Sequence, residues 1–282
     1  MYELSNPTVI KSLLNKHRAA VTKSLGQNFL INPSVCPRMA ELSGASPEVC
    51  AIEIGPGLGI LTTELAARAK KVVAVELDAR LLPLLADTLA DFDNVRLIQA
   101  DVLKTDLAAV IRDDFNGCET VVCANLPYYI TSPVIMHLLE SRLPVTSVTV
   151  MVQKEAARRL CAAPGTREAG AVSYAVSYYA QPNLLFDVSA GSFLPAPKVD
   201  SSVIRLDIRK TPAVCAADEA LLFRVIRAAF NQRRKTLANG LSSGLGITKE
   251  RAAAAISAAG LAADIRGEKL TLEDFARLSD QL

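Results

Sequence analysis

Val49-Cys50-Ala51-Ile52-Glu53-Ile54 runs directly into Gly55-Pro56-Gly57-Leu58-Gly59, and a helical pattern begins at Ile60. The near-continuous apolar run reads as a strand covered on both faces of its sheet. Glycine is needed where a strand turns sharply into a helix and a ligand lies against bare backbone. Outward from this point the pattern repeats. Strands are expected at Val72–Glu76, Val95–Gln99, Thr120–Ala124 and Val145–Val152, with helical segments at Ile60–Ala69, Ala79–Ala90, Leu107–Asp113 and Ser132–Ser141 between them. Strand-helix alternation at this spacing predicts an α/β fold with a Rossmann-like, doubly wound, mostly parallel sheet.

The pattern changes after Lys210. Leu222, Val225, Ile226, Ala229 and Phe230 follow i, i+3, i+4, i+7, i+8 spacing, the buried stripe of a helix. Thr248–Gln281 is Ala/Leu-rich with helical spacing and no strand signal. The expected organisation is a large domain over residues 1–209, a linker at Thr211-Pro212 and a small all-α domain over residues 210–282. Within the first domain, residues 1–25 read as a basic arm, from Lys11, Lys16, Arg18 and Lys23.

A chain of 282 residues that is 50% apolar can bury a sizeable core. Its 31 basic residues nearly balance 29 acidic ones, so any nucleic-acid surface has to be local. The six cysteines form no Cys-x-x-Cys pair and only His17 and His137 accompany them, which argues against a zinc site; no metal is expected. Cys50 and Cys123 sit in apolar strand-like runs and read as small core residues. No long apolar span or secretory signal is visible at Met1–Asn28. The expected setting is a monomer in the reduced cytoplasm, away from membranes.

The glycine loop narrows the ligand. A Walker loop needs Gly-Lys-Ser/Thr, which is missing, and a dinucleotide fingerprint needs a glycine where Ile60 stands. Glu53 crowds the loop with negative charge, which suits the methionine ammonium of S-adenosylmethionine and would repel a pyrophosphate. Glu76 ends the next strand, where a carboxylate can accept both ribose hydroxyls of a nucleoside. Asp101, just past the third strand, can accept from an adenine amine; a helix N-cap is the lesser alternative.

Asn125-Leu126-Pro127-Tyr128 follows the fourth strand, at the edge where such sheets bind ligands. An adenine amine is a poor nucleophile because its lone pair is delocalised into the ring. The Asn125 amide oxygen and the Leu126 carbonyl can accept its two hydrogens and favour a pyramidal amine. Pro127 fixes the turn, and Tyr128 can stack on the base, worth about 1–3 kcal/mol.

Together with Ser24–Leu30, Glu53–Gly59, Asn125–Ile130, Gln153–Glu155, Ser192–Ser201 and Phe230–Leu237, these residues make the chain resemble the bacterial 16S ribosomal RNA adenine dimethyltransferases, the family whose loss gives kasugamycin resistance. The resemblance spans nearly the whole chain. It implies a class I methyltransferase fold and S-adenosylmethionine as the methyl donor. It implies 16S RNA within the immature 30S subunit as the partner, with two methyls transferred to each of two adjacent adenosines near the 3′ end. Gln27, Asn28 and Leu30 would cover the cofactor. Gly55, Gly57, Glu76, Leu77, Asp101, Val102 and Asn125 would line its pocket, and Phe193 would face Tyr128 across the target adenine. Two departures stand out. Glu168-Ala169-Gly170-Ala171-Val172-Ser173 replaces the usual Tyr-Gly-x-Leu-Ser, and Ala196 replaces a proline.

Seven basic residues fall between Arg209 and Gly240, against Asp218 and Glu219. On a helical wheel Arg224, Arg227, Asn231, Arg234 and Lys235 fall opposite the apolar stripe, and Arg224, Arg227, Arg233, Arg234 and Lys235 are the expected RNA contacts. Three other readings remain. These are a large-subunit 23S adenine dimethyltransferase, a DNA adenine methyltransferase and a non-catalytic assembly or transcription factor on the same fold. The Phe-Asn-Gln-Arg-Arg-Lys-Thr-Leu and Gly-Gln-Asn-Phe-Leu segments favour the small-subunit enzyme.

Overall fold

The computed structural model describes residues 2–19, 27–232 and 235–282. The chain begins with α1 (Pro7–Lys16), β1 (Phe29–Leu30) and α2 (Val35–Leu42). It continues through β2 (Val49–Ile54), α3 (Ile60–Ala66), β3 (Lys71–Glu76), α4 (Leu82–Thr88), β4 (Val95–Gln99) and α5 (Leu107–Phe115). Next come β5 (Glu119–Asn125), α6 (Thr131–Glu140), β6 (Ser147–Gln153), α7 (Lys154–Leu160), α8 (Ala171–Tyr179), β7 (Ala180–Val188), β8 (Phe193–Leu194) and β9 (Ser201–Ile208). The last helices are α9 (Glu219–Asn231), α10 (Leu237–Leu245), α11 (Lys249–Ala258) and α12 (Leu272–Ser279).

Seven strands form one sheet in the order β4-β3-β2-β5-β6-β9-β7. The run β4, β3, β2, β5, β6 is parallel, and β9 returns antiparallel to β6. This is the doubly wound, mostly parallel sheet expected. Every residue of β2 is buried, as its unbroken apolar sequence requires of a strand covered on both faces. The chain order reverses on either side of β2, with β3 on one flank and β5 on the other, and such a switch point opens a crevice at the carboxyl ends of the strands. A separate two-stranded antiparallel sheet pairs Phe29 with Leu194 and Leu30 with Phe193.

The expected basic arm is corrected in part. Residues 7–16 are a helix, capped by the Asn6 side chain, which accepts from the Thr8 N–H at 2.9 Å, and started by Pro7. Ile10, Leu13 and Leu14 share one face by their i, i+3, i+4 spacing and pack in a cluster with Leu81, Leu84 and Leu85. Lys16 and His17 bond Asp87 at 2.6 and 2.8 Å, and with Lys16 the larger influence the Asp87 carboxyl is pulled down to about 2. Lys16 is therefore engaged by protein. Lys23 lies outside the described residues.

The chain divides into two compact units. One holds residues Met1–Ala157 and Asn183–Ile208, the other Arg158–Pro182 and Arg209–Leu282. The sequence suggests one cut after Arg209; the excursion 158–182 carries no compositional signal for its place among the carboxy-terminal helices. Its anchor is Tyr174, fully buried, with Phe230 and Phe275 rings at centroid distances of 5.2 and 5.1 Å. The Tyr174 hydroxyl donates to the Leu270 carbonyl at 2.5 Å and accepts from the Gly165 N–H at 2.9 Å. Among the described residues no helix is long and apolar enough to cross a membrane.

Within the helical unit α9 and α10 meet at Gly244, where an added Cβ would stand 2.4 Å from Ala228 Cβ and 2.8 Å from its Cα. Gly244→Ala is expected to force these helices apart and lower stability by about 1–3 kcal/mol, the usual range for overpacking. Chemical denaturation of the full chain measures this. Ala228→Gly in the same background should recover only part of the loss, because the backbone contact remains; an unchanged unfolding midpoint in Gly244→Ala would contradict the packing.

Candidate functional site

An open cavity sits at the carboxyl ends of β2, β3 and β5. It is lined by every cofactor and tetrapeptide residue named from the sequence, from Gln27, Asn28 and Leu30 through Glu53, Gly55, Gly57, Glu76, Leu77, Asp101 and Val102 to Asn125–Tyr128 and Phe193. The ladders bring them together. Ile54 lies beside Val75 and Ala124, so β2, β3 and β5 end almost level.

The loop after β2 is held by the next strand. Gly55 N–H donates to the Val75 carbonyl at 2.9 Å. Gly57, at φ +61°, donates its N–H to Glu76 Oε2 at 3.2 Å. Glycine here serves the left-handed turn. Glu76 Oε1 accepts a second bond, from the Asp78 N–H at 2.8 Å. Burial raises the Glu76 carboxyl above its ordinary range, and the two N–H bonds pull it part of the way back. Asp78 in turn accepts from Gln27 Nε2 at 3.3 Å and pairs with Arg80 at 2.7 Å, which holds its carboxyl low. Asp78 carries no expectation from the sequence; its signal is its place two residues beyond Glu76 in the same turn.

Glu53 is different. It is 1% exposed, and its Oε2 has no hydrogen-bond partner. The Thr62 side chain lies beside it and lowers its pKa in part, although Thr62 Oγ1 has no well-formed bond either. Burial dominates and, with the Glu76 charge adding, pushes Glu53 up to about 8. A buried oxygen without a donor, aimed among cavity-lining groups, fits a cation in that cavity.

Of the two readings weighed for Asp101, the cap is seen: its Oδ1 accepts from the Leu103 N–H of a short turn at 3.1 Å, and the residue also stands at the cavity. Asn125 is the last residue of β5, laddered against Met151 of β6. The turn behind it is closed by Ile130 N–H donating to the Pro127 carbonyl at 3.1 Å. Tyr128 Oη is 2.8 Å from Ser201 Oγ, and burial raises its phenol pKa. Phe193 is almost wholly buried, and its backbone is tied to Leu30. Tyr129, 58% exposed, and Phe29 also line the cavity; both stand inside motifs quoted from the sequence without a role of their own.

Of the expected RNA contacts, Arg224 and Arg227 are exposed on α9 opposite buried Leu222, Val225, Ile226 and Ala229, and Lys235 is exposed beyond it. Arg233 and Arg234 lie outside the described residues. Cys50 and Cys123 are buried among the strands, as expected of core residues.

Residues 18–282 match the family model described as ribosomal RNA adenine dimethylase. The ribosomal RNA small subunit methyltransferase A of Bacillus licheniformis is 47% identical over 284 residues, covering 99% of this chain and 97% of that protein. Its namesake from Geobacillus thermodenitrificans is 48% identical with the same coverage, 99% and 97%. Among solved structures, the 23S rRNA methyltransferase ErmE is similar with a TM-score of 0.67 and 26% identity, over 90% of this chain and 99% of that one. A dimethyladenosine transferase from Plasmodium falciparum superposes with a TM-score of 0.73 at 23% identity, over 88% of this chain and 95% of its own, and speaks for the fold alone.

The Glu53 carboxyl makes a stability prediction. Its folded value of about 8 lies above the ordinary 4.5, so between those two pH values the folded protein holds a proton that the unfolded chain has lost. Stability from this group is therefore lost as pH rises from 4.5 to 8 and is level above 8. Glu53→Gln should remove that slope. Denaturant unfolding without added cofactor should show the variant gaining on the parent across this window by on the order of 5 kcal/mol. Parallel pH profiles for the two proteins would refute the assignment.

Proposed function

This chain belongs to the ribosomal RNA adenine dimethylase family, and from that footing we propose that it transfers methyl groups from S-adenosylmethionine to the N6 amines of two adjacent adenosines near the 3′ end of 16S RNA, in the immature 30S subunit. The observation that carries this reading is the one cavity shared by the glycine loop, Glu76, Asp101 and the Asn125–Tyr128 tetrapeptide. The closer identity to small-subunit methyltransferases, 47–48% against 26% for the 23S enzyme, favours the 16S substrate.

The residues present fit the methyl donor. Glu53 has a buried oxygen without a partner, suited to the methionine ammonium. Each Glu76 oxygen accepts one backbone N–H, which leaves lone pairs for ribose hydroxyls. When bound, S-adenosylmethionine supplies an electrophilic methyl on a sulfonium. The protein's part is to prepare the nucleophile. Asn125 Oδ1 and the Leu126 carbonyl accept the two amine hydrogens and aim the nitrogen lone pair. Tyr128 and Phe193 hold the flipped base. No strong base is required, because the amine proton becomes acidic once the methyl has added. Each adenosine takes two such transfers, and each releases S-adenosylhomocysteine and a proton. Phosphate contacts come from Arg224 and Arg227 on α9, and from Arg233, Arg234 and Lys235 further along the sequence. No feature of this reading calls for a membrane, and a cytoplasmic monomer suffices for it.

Asn125→Ala should slow single-turnover methyl transfer by about 2.7–4 kcal/mol, by analogy with loss of an oxyanion-hole donor. Affinity for 30S particles should stay unchanged, since phosphate contacts dominate it. Quench-flow and filter binding test both halves, with naked 16S RNA, immature 30S particles, 23S RNA and DNA offered in parallel. A folded Asn125→Ala protein at the parental rate would refute the proposed activation, and preferential methylation of 23S RNA or DNA would refute the substrate.

Neutralising Arg224, Arg227 and Lys235 together should weaken 30S binding. It should also flatten the log-log salt dependence by about 0.7–0.9 for each phosphate that is no longer neutralised. Unchanged affinity and slope would place the RNA surface elsewhere.

A further inference from the structure

The start of β9 reaches in several directions at once. Asp200, just ahead of the strand, accepts through Oδ1 from the Ala190 N–H at 2.9 Å, and its own carbonyl accepts from the Lys154 N–H at 3.0 Å. Ser201 Oγ lies 2.8 Å from Tyr128 Oη. Ser202 Oγ donates to Asp187 Oδ1 at 2.6 Å, and Lys154 Nζ bonds the other Asp187 oxygen at 2.5 Å. Ser201 is 0% exposed and stands in the β6–β9 ladder opposite Gln153, so its hydroxyl is a fixed point. Two adjacent residues therefore hold two separate turns. One carries Tyr128, and the other, residues 189–192, delivers Phe193.

We propose that Asp200 and Ser201 are positioning residues that hold Tyr128 and Phe193 in place for the target adenine. The proposal rests on the reading of those two rings as the grip on the target base. A tyrosine ring tied only at Cβ can swing about its side-chain torsions; the bond to Ser201 ties its far end as well. Phe193 has no polar atom of its own beyond the backbone, so its place comes from the chain around it. That chain is held by Asp200 at Ala190 on one side and by the pairing with Leu30 on the other. A misplacement of about 1 Å at a reacting group can lower a rate 100-fold, so a brace of this kind acts on the methyl-transfer step more than on binding.

The test uses the full chain with immature 30S particles. Single-turnover transfer of radiolabelled methyl, particle affinity, and the fluorescence of 2-aminopurine placed at the target adenosine in reconstituted particles are the readouts. Ser201→Ala and Tyr128→Phe should each slow transfer roughly three- to tenfold, the range for one net hydrogen bond. The double variant should be no slower than either single one, because both remove the same bond. Particle affinity should hold while the 2-aminopurine signal shifts. Asp200→Ala should slow transfer. Asp200→Asn should restore it, since the amide oxygen still accepts from the Ala190 N–H.

Additive losses for Ser201 and Tyr128 would overturn the proposal, as would an Asp200→Asn variant as slow as Asp200→Ala. Tyr128→Ala separates this failure from that of the underlying reading. If Tyr128→Ala is impaired and Ser201→Ala is not, the brace fails and the base grip stands. If Tyr128→Ala transfers methyl at the parental rate, the base grip itself fails.

Discussion

Burial of β2 between two parallel neighbours is the constraint on which the rest depends. A strand closed to water on both faces must satisfy its backbone entirely through ladders, here with β3 and β5. Those ladders run in one direction and in fixed register. The three strands therefore finish at a common edge and release their chains there. The glycine loop, the turn after Glu76 and the tetrapeptide after Asn125 meet for that reason, although they come from segments tens of residues apart.

The same burial sorts two carboxylates that look equivalent in the sequence. Both are withdrawn from solvent, and in both the desolvation of the charged form is the largest influence. Glu76 at the strand end finds the N–H groups of Gly57 and Asp78. Glu53, one residue before its strand ends, finds no donor for Oε2. Glu76 thus stiffens the loop that surrounds the ligand, while Glu53 is left in need of positive charge. Without a bound cation Glu53 keeps its proton up to about pH 8; a cation bound beside it would favour the charged form, whereas a pyrophosphate would oppose it.

The small sheet of β1 and β8 ties the two halves of the proposed reaction together. Asn28, Leu30 and Phe193 line one cavity, the first two assigned to the cofactor and the third to the base in the proposed reading. Leu30 and Phe193 are ladder partners. Ile31 N–H adds a bond to the Ser192 carbonyl at 2.8 Å, and Asn32 Nδ2 one to Ser192 Oγ at 3.2 Å. A shift of one segment must move the other, so cofactor cover and base wall are set as one object.

The sequence alone determined the parallel strands, the glycine loop and the place of the tetrapeptide at the end of its strand. Each is a local pattern with one physical cause: a strand buried on both faces reads as an apolar run, and a backbone turn beneath a ligand reads as glycine. Leu222, Val225 and Ile226 were legible as a buried helical stripe for the same kind of reason. What has no local period was hidden. Two residues at Phe29–Leu30 cannot announce a strand, because their partner lies more than 160 residues away at Phe193–Leu194. Ser201–Ile208 drew no strand expectation, since only its first residue stands in a quoted motif; its ladder to β6 makes it a strand of the main sheet. The basic count near the amino terminus concealed the apolar face of α1, since Lys16 is spent on Asp87 across 71 residues. Likewise only the packed structure joins residues 158–182 to the carboxy-terminal helices, through the burial of Tyr174 between two phenylalanines. The contacts that decided these points are long-range, and a long-range contact leaves its mark on two distant stretches of chain, neither of which is informative without the other.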